Sequence, residues 1–327
     1  MNQMKKIVFV MDAYASLNLE TETSLLLMEE LIVRGHQVFW LEEKGISLQG
    51  NCLKAKLSLV KSVENFELLP SAEVYLDDFD AILLRVDPPV DTAYLHLTYL
   101  LSFLSSSVKQ FNSIASLRNF NEKLLPLKWP EFCPASLVSS SKQDFQRFLS
   151  LHREIVIKPL GDCSGRGIQR FGIKDLDSPE LSALFDYSIG TSPYFMAQEF
   201  ISAVEYGDKR VFLLNGDVAG FVNRVPKQGE FLANIHQGAA CEAAKLTESE
   251  LNIVNKIAPF LKAQGLLFVG LDFIGGYLTE VNITSPSAIR QINQVMGLNV
   301  HEKMVDSMLE FIAGGKTFRC CGEQYAA

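Results

Sequence analysis

Blocks of apolar positions alternate with polar, turn-forming stretches along the first third of the chain, and they predict strands separated by helices. Residues 5–12 contain a continuous apolar run, which is typical of a parallel strand covered on both faces. Residues 22–34 place apolar side chains at helical spacing and are followed by Gly35, which commonly ends helices. Further strands are expected at HQVFWLEE, FDAILLRVDPP and QFNS, and a helix over 91–107. The pattern predicts a doubly wound α/β domain.

The first turn of this domain carries no dinucleotide-binding signature. Met11-Asp12-Ala13-Tyr14 occupies the position where G-x-G-x-x-G would lie. We therefore do not expect NAD as a cofactor.

Hairpin signals dominate the chain after a proline-containing junction at residues 123–135. Strands are expected on both sides of a glycine-containing turn from Gly161 to Gly167, and again over 192–201. Residues 207–226 predict a hairpin that turns at Asn215-Gly216. LTESELNIVNKIAPFLKAQG predicts an amphipathic helix with a capping box, and a final helix is expected over 300–313.

A third hairpin concentrates polar oxygen atoms within an otherwise apolar segment. LLFVGLDFI and YLTEVNI are β-rich runs broken by Gly275-Gly276, and Glu280 and Asn282 point to the same face of a strand. A connection of three residues, 275–277, would place Asp272 directly opposite Glu280. Crowded carboxylates are costly to desolvate, and a hard cation such as Mg²⁺ removes that cost. The alternative is three polar residues on the wet face of an antiparallel sheet.

Lys158 and the glycine turn after it form a second candidate site. The order strand, turn, strand excludes a Walker A loop, which has G-K-[ST] and opens a helix. Backbone N–H groups of such a turn can still bind phosphates, with Lys158 supplying fixed positive charge. An ordinary hairpin with a surface lysine is the alternative.

Composition narrows the class of protein. The 327 residues are 48% hydrophobic and 21% charged, which predicts a globular protein of two or three domains. The net charge of −8 and the absence of a Lys/Arg block argue against nucleic acid or anionic membrane as the main partner. No apolar run reaches the length of a membrane-spanning helix. Six cysteines without metal-ligand spacing favour a reduced, cytoplasmic protein without a zinc site.

Together these features resemble the ATP-grasp superfamily, and more closely the prokaryotic type of glutathione synthetase. The resemblance covers about residues 5–313. The stretches that carry it are VMDAYASLNLETETS, LLRVDPPVDT, SLRNFNEKL, VIKPLGDCSG, MAQEF, YGDKRV, NRVPKQGE, GLLFVGLDFIG and LTEVNITSPSAIR.

The resemblance implies a domain organisation and an activity. We expect an N-terminal α/β substrate-binding domain over 1–122, an ATP-grasp domain over 123–316 with a mobile lid subdomain at about 134–200, and a tail over 317–327. The implied activity is ATP-dependent joining of γ-glutamylcysteine and glycine into glutathione through an acylphosphate. ATP and Mg²⁺ are the implied cofactors, and a homo-oligomer is expected.

The resemblance also implies roles for individual residues at matching positions. The residues expected to bind Mg²⁺ are Asp272, Glu280 and Asn282. Those expected at the reacting centre are Arg210, Arg224 and Asn234. Those expected to hold the substrates are Asp12, Arg85, Thr284 and Ser285. The residues expected to bind ATP are Lys123, Lys158, Gly161, Ser164, Gly165, Gly167, Gln198, Glu199, Phe200, Ile201 and Asp208.

These residue types suit the implied chemistry. A carboxylate that attacks the γ-phosphate of ATP brings anions together, so catalysis depends on positioning and charge neutralisation. Metal ions and arginines neutralise charge without proton transfer. Water would hydrolyse the acylphosphate, which makes a closing lid useful.

The chain departs from the family in the loop 229–243. Members usually carry a pattern like R-G-N-L-A-A-G-G-R-G, whereas Leu232 and Ala240 stand here at the two arginine positions. The phosphate turn also reads Gly161-Asp162 where the usual order is Asp-Gly, and Val86 stands where a lysine is common. Two alternatives therefore stay open: an ATP-grasp ligase for a different acid and amine, and a non-catalytic ATP-binding regulatory protein.

Overall fold

A computed structural model describes residues 3–162, 165–185 and 194–314. Seventeen strands occur in these ranges: β1 Lys6–Met11, β2 Gln37–Glu42, β3 Ile46–Gln49, β4 Cys52–Ser62, β5 Glu67–Leu68, β6 Ala72–Tyr75, β7 Ala81–Leu84, β8 Lys109–Phe111, β9 Ser136–Ser139, β10 Glu154–Pro159, β11 Gln169–Gly172, β12 Phe195–Glu199, β13 Asp208–Leu214, β14 Asp217–Val225, β15 Ala240–Glu242, β16 Phe268–Ile274 and β17 Tyr277–Asn282. Eight α-helices accompany them: α1 Thr23–Val33, α2 Thr92–Leu101, α3 Ile114–Asn119, α4 Lys142–His152, α5 Pro179–Ala183, α6 Glu248–Ala263, α7 Ile289–Met296 and α8 Val300–Ile312.

The N-terminal sheet has the order β3-β4-β2-β1-β7-β8, with β2, β1, β7 and β8 parallel. These four strands and helices α1 and α2 are the predicted α/β series. The antiparallel strands β3 to β6 were not predicted. Leu53, Ala55 and Leu57 alternate with polar residues along β4 and are buried, so a period-two signal was present there.

Alternation along the strands divides the interior into two clusters. Ile7, Phe9 and Met11 pack on the side of α1, α7 and α8, whereas Val8 and Val10 pack on the side of α2, α3 and α6. The five-stranded sheet β15-β14-β13-β16-β17 is covered on both faces by the same two clusters. The two sheets therefore share the same two core clusters.

The four-stranded sheet β11-β10-β12-β9 has a separate core. Phe145 and Leu149 of α4 pack with Ile155, Ile157 and Phe195 of the sheet in a cluster confined to residues 137–197. This cluster falls within the predicted lid. Residues 186–193 of that range, and the predicted tail, lie outside the described residues.

Several boundaries differ from the sequence prediction. The helix expected over 91–107 ends at Leu101, and α7 was missed because only Ile289 and Ile292 in it are buried and its start lacks a side-chain cap. The predicted capping box at the start of α6 is present, since Thr247 and Glu250 exchange their hydrogen bonds. Within the described ranges, no helix has both the length and the apolar composition needed to cross a membrane.

Candidate active site

The third hairpin brings its polar side chains together. Asp272 on β16 pairs with Glu280 on β17, and Asn282 Nδ2 donates to Asp272 Oδ2 at 3.2 Å. The connection has two residues and not the expected three, because Ile274 already pairs with Tyr277. A register shift between Asp272 and Phe273 adds the missing position. The predicted pairing is therefore confirmed, although the loop length was wrong.

Two arginines from strands β13 and β14 of the same sheet hold Asp272. Arg210 lies opposite it on β13, with Nε 2.5 Å from Oδ1 and Nη2 3.0 Å from Oδ2. Arg224 Nη2 lies 3.1 Å from Asp272 Oδ2 and 2.8 Å from Asp208 Oδ1. Burial alone would raise the pKa of Asp272, but the two guanidinium groups hold that pKa well below its usual range. The result is a dense, largely buried network of two cations and two anions.

Two lysines approach the same place from different elements. Lys123 Nζ lies 3.3 Å from Glu280 Oε1 and donates to the carbonyl oxygen of Asp162 in the glycine turn. Lys158 on β10 donates to Gln198 Oε1 at 2.6 Å. Burial lowers the pKa of Lys158, while the nearby Glu280 carboxylate favours its charged form. Cations and oxygen ligands thus converge where the four-stranded and five-stranded sheets meet.

Two cavities flank this convergence. An apolar cleft of about 500 Å³ lies beside Lys158 and Gln198, with Glu199, Phe200 and Ile201 in its lining. A polar cavity of about 810 Å³ is lined by groups that include Arg210, Arg224, Glu280, Asn282, Thr284 and Ser285. Asn234 lines both, which makes the two cavities neighbours across one side chain.

The glycine turn and the loop 229–243 meet over these cavities. Gly165 has φ of +78°, and a Cβ there would lie only 2.6 Å from Asn234 Oδ1 and 3.6 Å from Leu232 Cδ2. A side chain at position 165 would therefore be strained and would also displace Asn234. Gly161 O accepts from Val90 N at 2.9 Å, which joins the turn to the N-terminal sheet. Ser164, predicted to bind ATP, lies outside the described residues.

The structure does not bring every predicted residue to the cavities. Arg85 is only 2% exposed and donates to Ser24 Oγ and the carbonyl oxygen of Pro286, behind the wall of the polar cavity. Asp12 accepts a hydrogen bond from the backbone of Asp87 and does not line the cavity. Asp208, expected at the adenosine end, is bound to Arg224 and lies outside the lining of the apolar cleft.

Three acidic residues of the polar cavity were not predicted: Glu22, Asp87 and Glu122. Glu22 accepts from Ser24 N at the start of α1, at 2.6 Å. Asp87 faces the polar cavity. Desolvation by the cavity walls and the nearby Glu22 carboxylate raise its pKa to about 6. Asp87 follows strand β7 by three positions, and ligands of open α/β sheets bind at the carboxyl ends of strands; that signal could have identified it.

The oxygen atoms fit a magnesium site that substrate phosphates complete. Among the described residues no cluster of three His, Cys, Asp or Glu side chains could hold a metal ion. Glu280 and Asn282 nevertheless both line the polar cavity, and Asp272 is in contact with Asn282. Mg²⁺ is commonly bound through one or two carboxylates plus phosphate oxygens, so a larger protein cluster is unnecessary.

Comparison with solved structures defines the class of fold. A D-cycloserine synthetase matches with a TM-score of 0.67 at 14% identity, covering 94% of this chain and 99% of the other. The ATP-grasp ligase PsnB, in a complex described as containing precursor, Mg and ADP, matches with a TM-score of 0.61 at 16% identity, covering 94% and 98%. These likenesses, with the site above, place the chain in the ATP-grasp fold.

Sequence comparison then defines the family. The N-terminal domain of prokaryotic glutathione synthetase matches residues 5–118, and its ATP-grasp domain matches residues 122–297. The chain belongs to the prokaryotic glutathione synthetase family. Curated glutathione synthetases are similar along nearly their whole length: that of Yersinia pestis is 37% identical, covering 88% of this chain and 92% of the relative, and that of Synechococcus elongatus is 35% identical, covering 95% and 100%.

The family and these relatives support an ATP-dependent ligase that forms glutathione, with ATP and Mg²⁺ as cofactors. The activity implied by the family resemblance is therefore confirmed.

Proposed function

We propose that the two neighbouring cavities form one active site, in which γ-glutamylcysteine is activated by ATP and joined to glycine. The observation that carries this assignment is the convergence of Lys123, Lys158, Arg210 and Arg224 on the oxygen atoms of the third hairpin. Cations from the turn after α3, the four-stranded sheet and the five-stranded sheet would have little reason to meet there in a protein that only bound an uncharged ligand.

ATP fits the site in one orientation. The apolar cleft beside Phe200 and Ile201 suits the adenine ring, and Glu199 lies at its exposed end. Lys158 lies at the inner end of that cleft, so the phosphates would extend from it toward Lys123 and the turn from Gly161 to Gly167. Backbone N–H groups of that turn would complete the phosphate contacts.

Asp272, Glu280 and Asn282 would hold Mg²⁺ against the phosphate oxygens. The metal supplies charge neutralisation to the transferring phosphoryl group when it is bound. Binding at Asp272 requires that its oxygens be shared with, or released from, Arg210 and Arg224. The same two arginines would then be available to bind the developing negative charge.

The reaction proceeds in two transfers. The substrate carboxylate attacks the γ-phosphorus, the bond to the β–γ bridging oxygen breaks, and ADP leaves. Glycine nitrogen then attacks the acyl carbon, the carbon–oxygen bond to phosphate breaks, and the nitrogen loses a proton. Arg210 and Arg224 would stabilise the anionic phosphoryl group and the tetrahedral intermediate, and Asn234 would orient the acyl group from the cavity wall. The contact between Gly165 and the loop containing Asn234 would help to exclude water from the acylphosphate.

The remaining part of the polar cavity would hold the peptide and the amine. Thr284 and Ser285 offer hydroxyl groups there, while Asp12 and Arg85 would support the wall from behind. The carboxylates of Glu22 and Asp87 make this end acidic, which favours the ammonium groups carried by both substrates.

We propose also that the enzyme works in the cytoplasm as a symmetric homo-oligomer that binds neither nucleic acid nor membrane. A net charge of −8 supports the absence of nucleic-acid and membrane binding, and the family resemblance supports the oligomer. Light scattering should give a mass of two or more times the 36.5 kDa of one chain; a particle of 36.5 kDa would contradict the oligomer.

Glu280→Gln tests the active-site assignment. It keeps the size of the side chain but removes the charge that would bind metal, so ADP release with γ-glutamylcysteine and glycine should fall by about 100-fold or more. The matched control is Glu242→Gln, on the exposed face of β15, which should keep wild-type turnover. Wild-type turnover by Glu280→Gln would exclude Glu280 from the metal site. If the wild-type enzyme released ADP with other acid and amine pairs instead, the proposed substrates would be wrong.

A further inference from the structure

Residues 121–123 connect the hairpin that carries the proposed metal ligands with the glycine turn. Asn121 Nδ2 donates to the carbonyl oxygen of Leu160 at 2.8 Å, and Lys123 donates to that of Asp162. On the other side, the carbonyl oxygen of Glu122 accepts from Val281 N at 3.0 Å. The tripeptide is therefore in contact with both halves of the ATP site.

The side chain of Glu122 makes the strongest of these connections. Its Oε1 accepts three hydrogen bonds, from Ile283 N at 2.6 Å, Thr284 N at 2.8 Å and Thr284 Oγ1 at 2.9 Å. A carboxylate that accepts from consecutive backbone N–H groups fixes their directions closely. These groups follow directly after Asn282, where β17 ends and the wall of the polar cavity begins.

Glu122 is a costly residue for the fold alone. It is only 8% exposed, and no lysine, arginine or histidine of the described ranges lies within 4.0 Å of its carboxylate. Burial and the neighbouring Glu280 raise its pKa, which means that its surroundings disfavour the charge. A buried carboxylate without an ionic partner destabilises a protein relative to a neutral side chain with the same hydrogen bonds.

We propose that Glu122 is a positioning residue of the active site. It fixes the chain after β17 so that Asn282 and Thr284 face the cavity, and it fixes the backbone that places Lys123 between Glu280 and the glycine turn. This inference rests on the proposed function, because it assigns Glu122 the task of aligning the magnesium and phosphate ligands. Glu122 itself would bind neither the metal ion nor the phosphates.

Three variants separate positioning from general stability. Glu122→Ala removes the acceptor, Glu122→Asp keeps the charge but withdraws the oxygen from its three donors, and Glu122→Gln keeps a neutral acceptor at the same reach. Glu131→Ala, at an exposed position nine residues further along the chain, is the control. Calorimetric binding of ATP at a series of Mg²⁺ concentrations is the primary measurement, with melting temperature recorded in parallel.

The Ala and Asp variants should raise the Mg²⁺ concentration needed for half-maximal ATP binding by about 10–100-fold, as loss of a residue that orients metal ligands typically does. Glu122→Gln should stay within about threefold of the wild type, because its amide oxygen can accept the same three bonds. The control should match the wild type in both measurements.

Two results would overturn the proposal: Mg²⁺-dependent binding by the Asp variant equal to that of the wild type, or a folded Gln variant as impaired as the Ala variant. If Glu122→Ala fails to fold, the Asp and Gln variants carry the comparison. The measurement is ATP binding and not turnover, so an error in the proposed substrates would not change its outcome. If ATP binding by the wild-type enzyme did not depend on Mg²⁺, the proposed function itself would be contradicted.

Discussion

Asp272 shows how one residue can have a different environment from the one its sequence neighbours suggest. Sequence spacing placed it opposite Glu280, which the structure confirms. The sequence did not indicate that Arg210 and Arg224 would occupy its oxygens, because they belong to β13 and β14, about fifty to sixty positions earlier. The pattern of residues along one strand shows which side chains share a face, but it does not show which side chains other strands of the sheet place next to them.

This network predicts acid sensitivity. The folded pKa of Asp272 lies below its usual value of 3.8, so its ionic stabilisation is present above that value and is lost as the pH falls through the folded pKa. Asp272→Asn should lower the free energy of unfolding at pH 7 by about 3–5 kcal/mol, since it removes the carboxylate paired with buried Arg210 and one of the two carboxylates paired with Arg224. Urea denaturation should show this difference shrinking below about pH 4. A difference that is constant with pH would contradict the pKa assignment.

The control is Asp217→Asn, which removes a partly exposed pair with Lys262 at 3.6 Å. Pairs of this kind contribute about 0–1 kcal/mol, so its effect should be small at every pH.

Cysteine reactivity can be predicted from burial. Burial raises the pKa of Cys133 to about 12, and its thiol faces the carbonyl oxygens of Pro126 and Trp129. At pH 8 only about one molecule in ten thousand would carry the thiolate, which is the reactive form. Brief labelling with iodoacetamide followed by peptide mass spectrometry should modify the exposed Cys52 and leave Cys133 unmodified. Equal labelling of both in the native protein would show that Cys133 is accessible.

At the scale of elements, Asn112 joins the two large sheets. Its Oδ1 accepts from Leu267 N and Phe268 N at 2.7 and 2.8 Å, and its Nδ2 donates to the carbonyl oxygens of Phe268 and Ile283 at 2.7 Å each. All four bonds are buried and cross from the end of β8 to the start of β16 and to the residue that follows β17. Asn112 was predicted only as part of a short QFNS strand, since the groups it binds lie more than 150 positions away.

Asn112→Ala should therefore be strongly destabilising. It removes four buried hydrogen bonds to backbone groups, and we expect the free energy of unfolding to fall by about 3 kcal/mol or more. Denaturant midpoints of this variant and of Asn65→Ala, whose side chain is exposed, test the expectation. A similar midpoint for both would mean that water replaces the lost bonds.

At the scale of the whole molecule, the proposed ATP site depends on the arrangement of three sheets. Lys158 belongs to the four-stranded sheet, Arg210 to the five-stranded sheet, and Val90, which anchors the glycine turn, follows the N-terminal sheet. The C-terminal helix α8 returns to pack against α1, where Arg34 pairs with Asp306. The predicted boundary after residue 122 stays a prediction, because helices from both sides of it share one core.

Ligand binding across these sheets should stabilise the whole chain. Mg²⁺ with ATP at 100 times its dissociation constant should add about 2.7 kcal/mol to the free energy of unfolding. Lys158→Ala should remove most of the resulting rise in melting temperature, whereas Lys174→Ala, exposed in the same subdomain, should keep it. An undiminished rise in the Lys158 variant would place the phosphates elsewhere.

The sequence by itself determined the elements with strong periodicity, the hairpin that pairs Asp272 with Glu280, and the family, because these depend on residues close together along the chain. The tertiary structure alone decided that Glu22 and Glu122 line the cavity, and that Arg85 lies behind its wall. Each of these positions depends on contacts with segments up to about 200 residues away, such as that of Arg85 with Pro286. The spacing of side chains determines which of them lie on the same face of an element. Only tertiary packing determines which other residues contact that face.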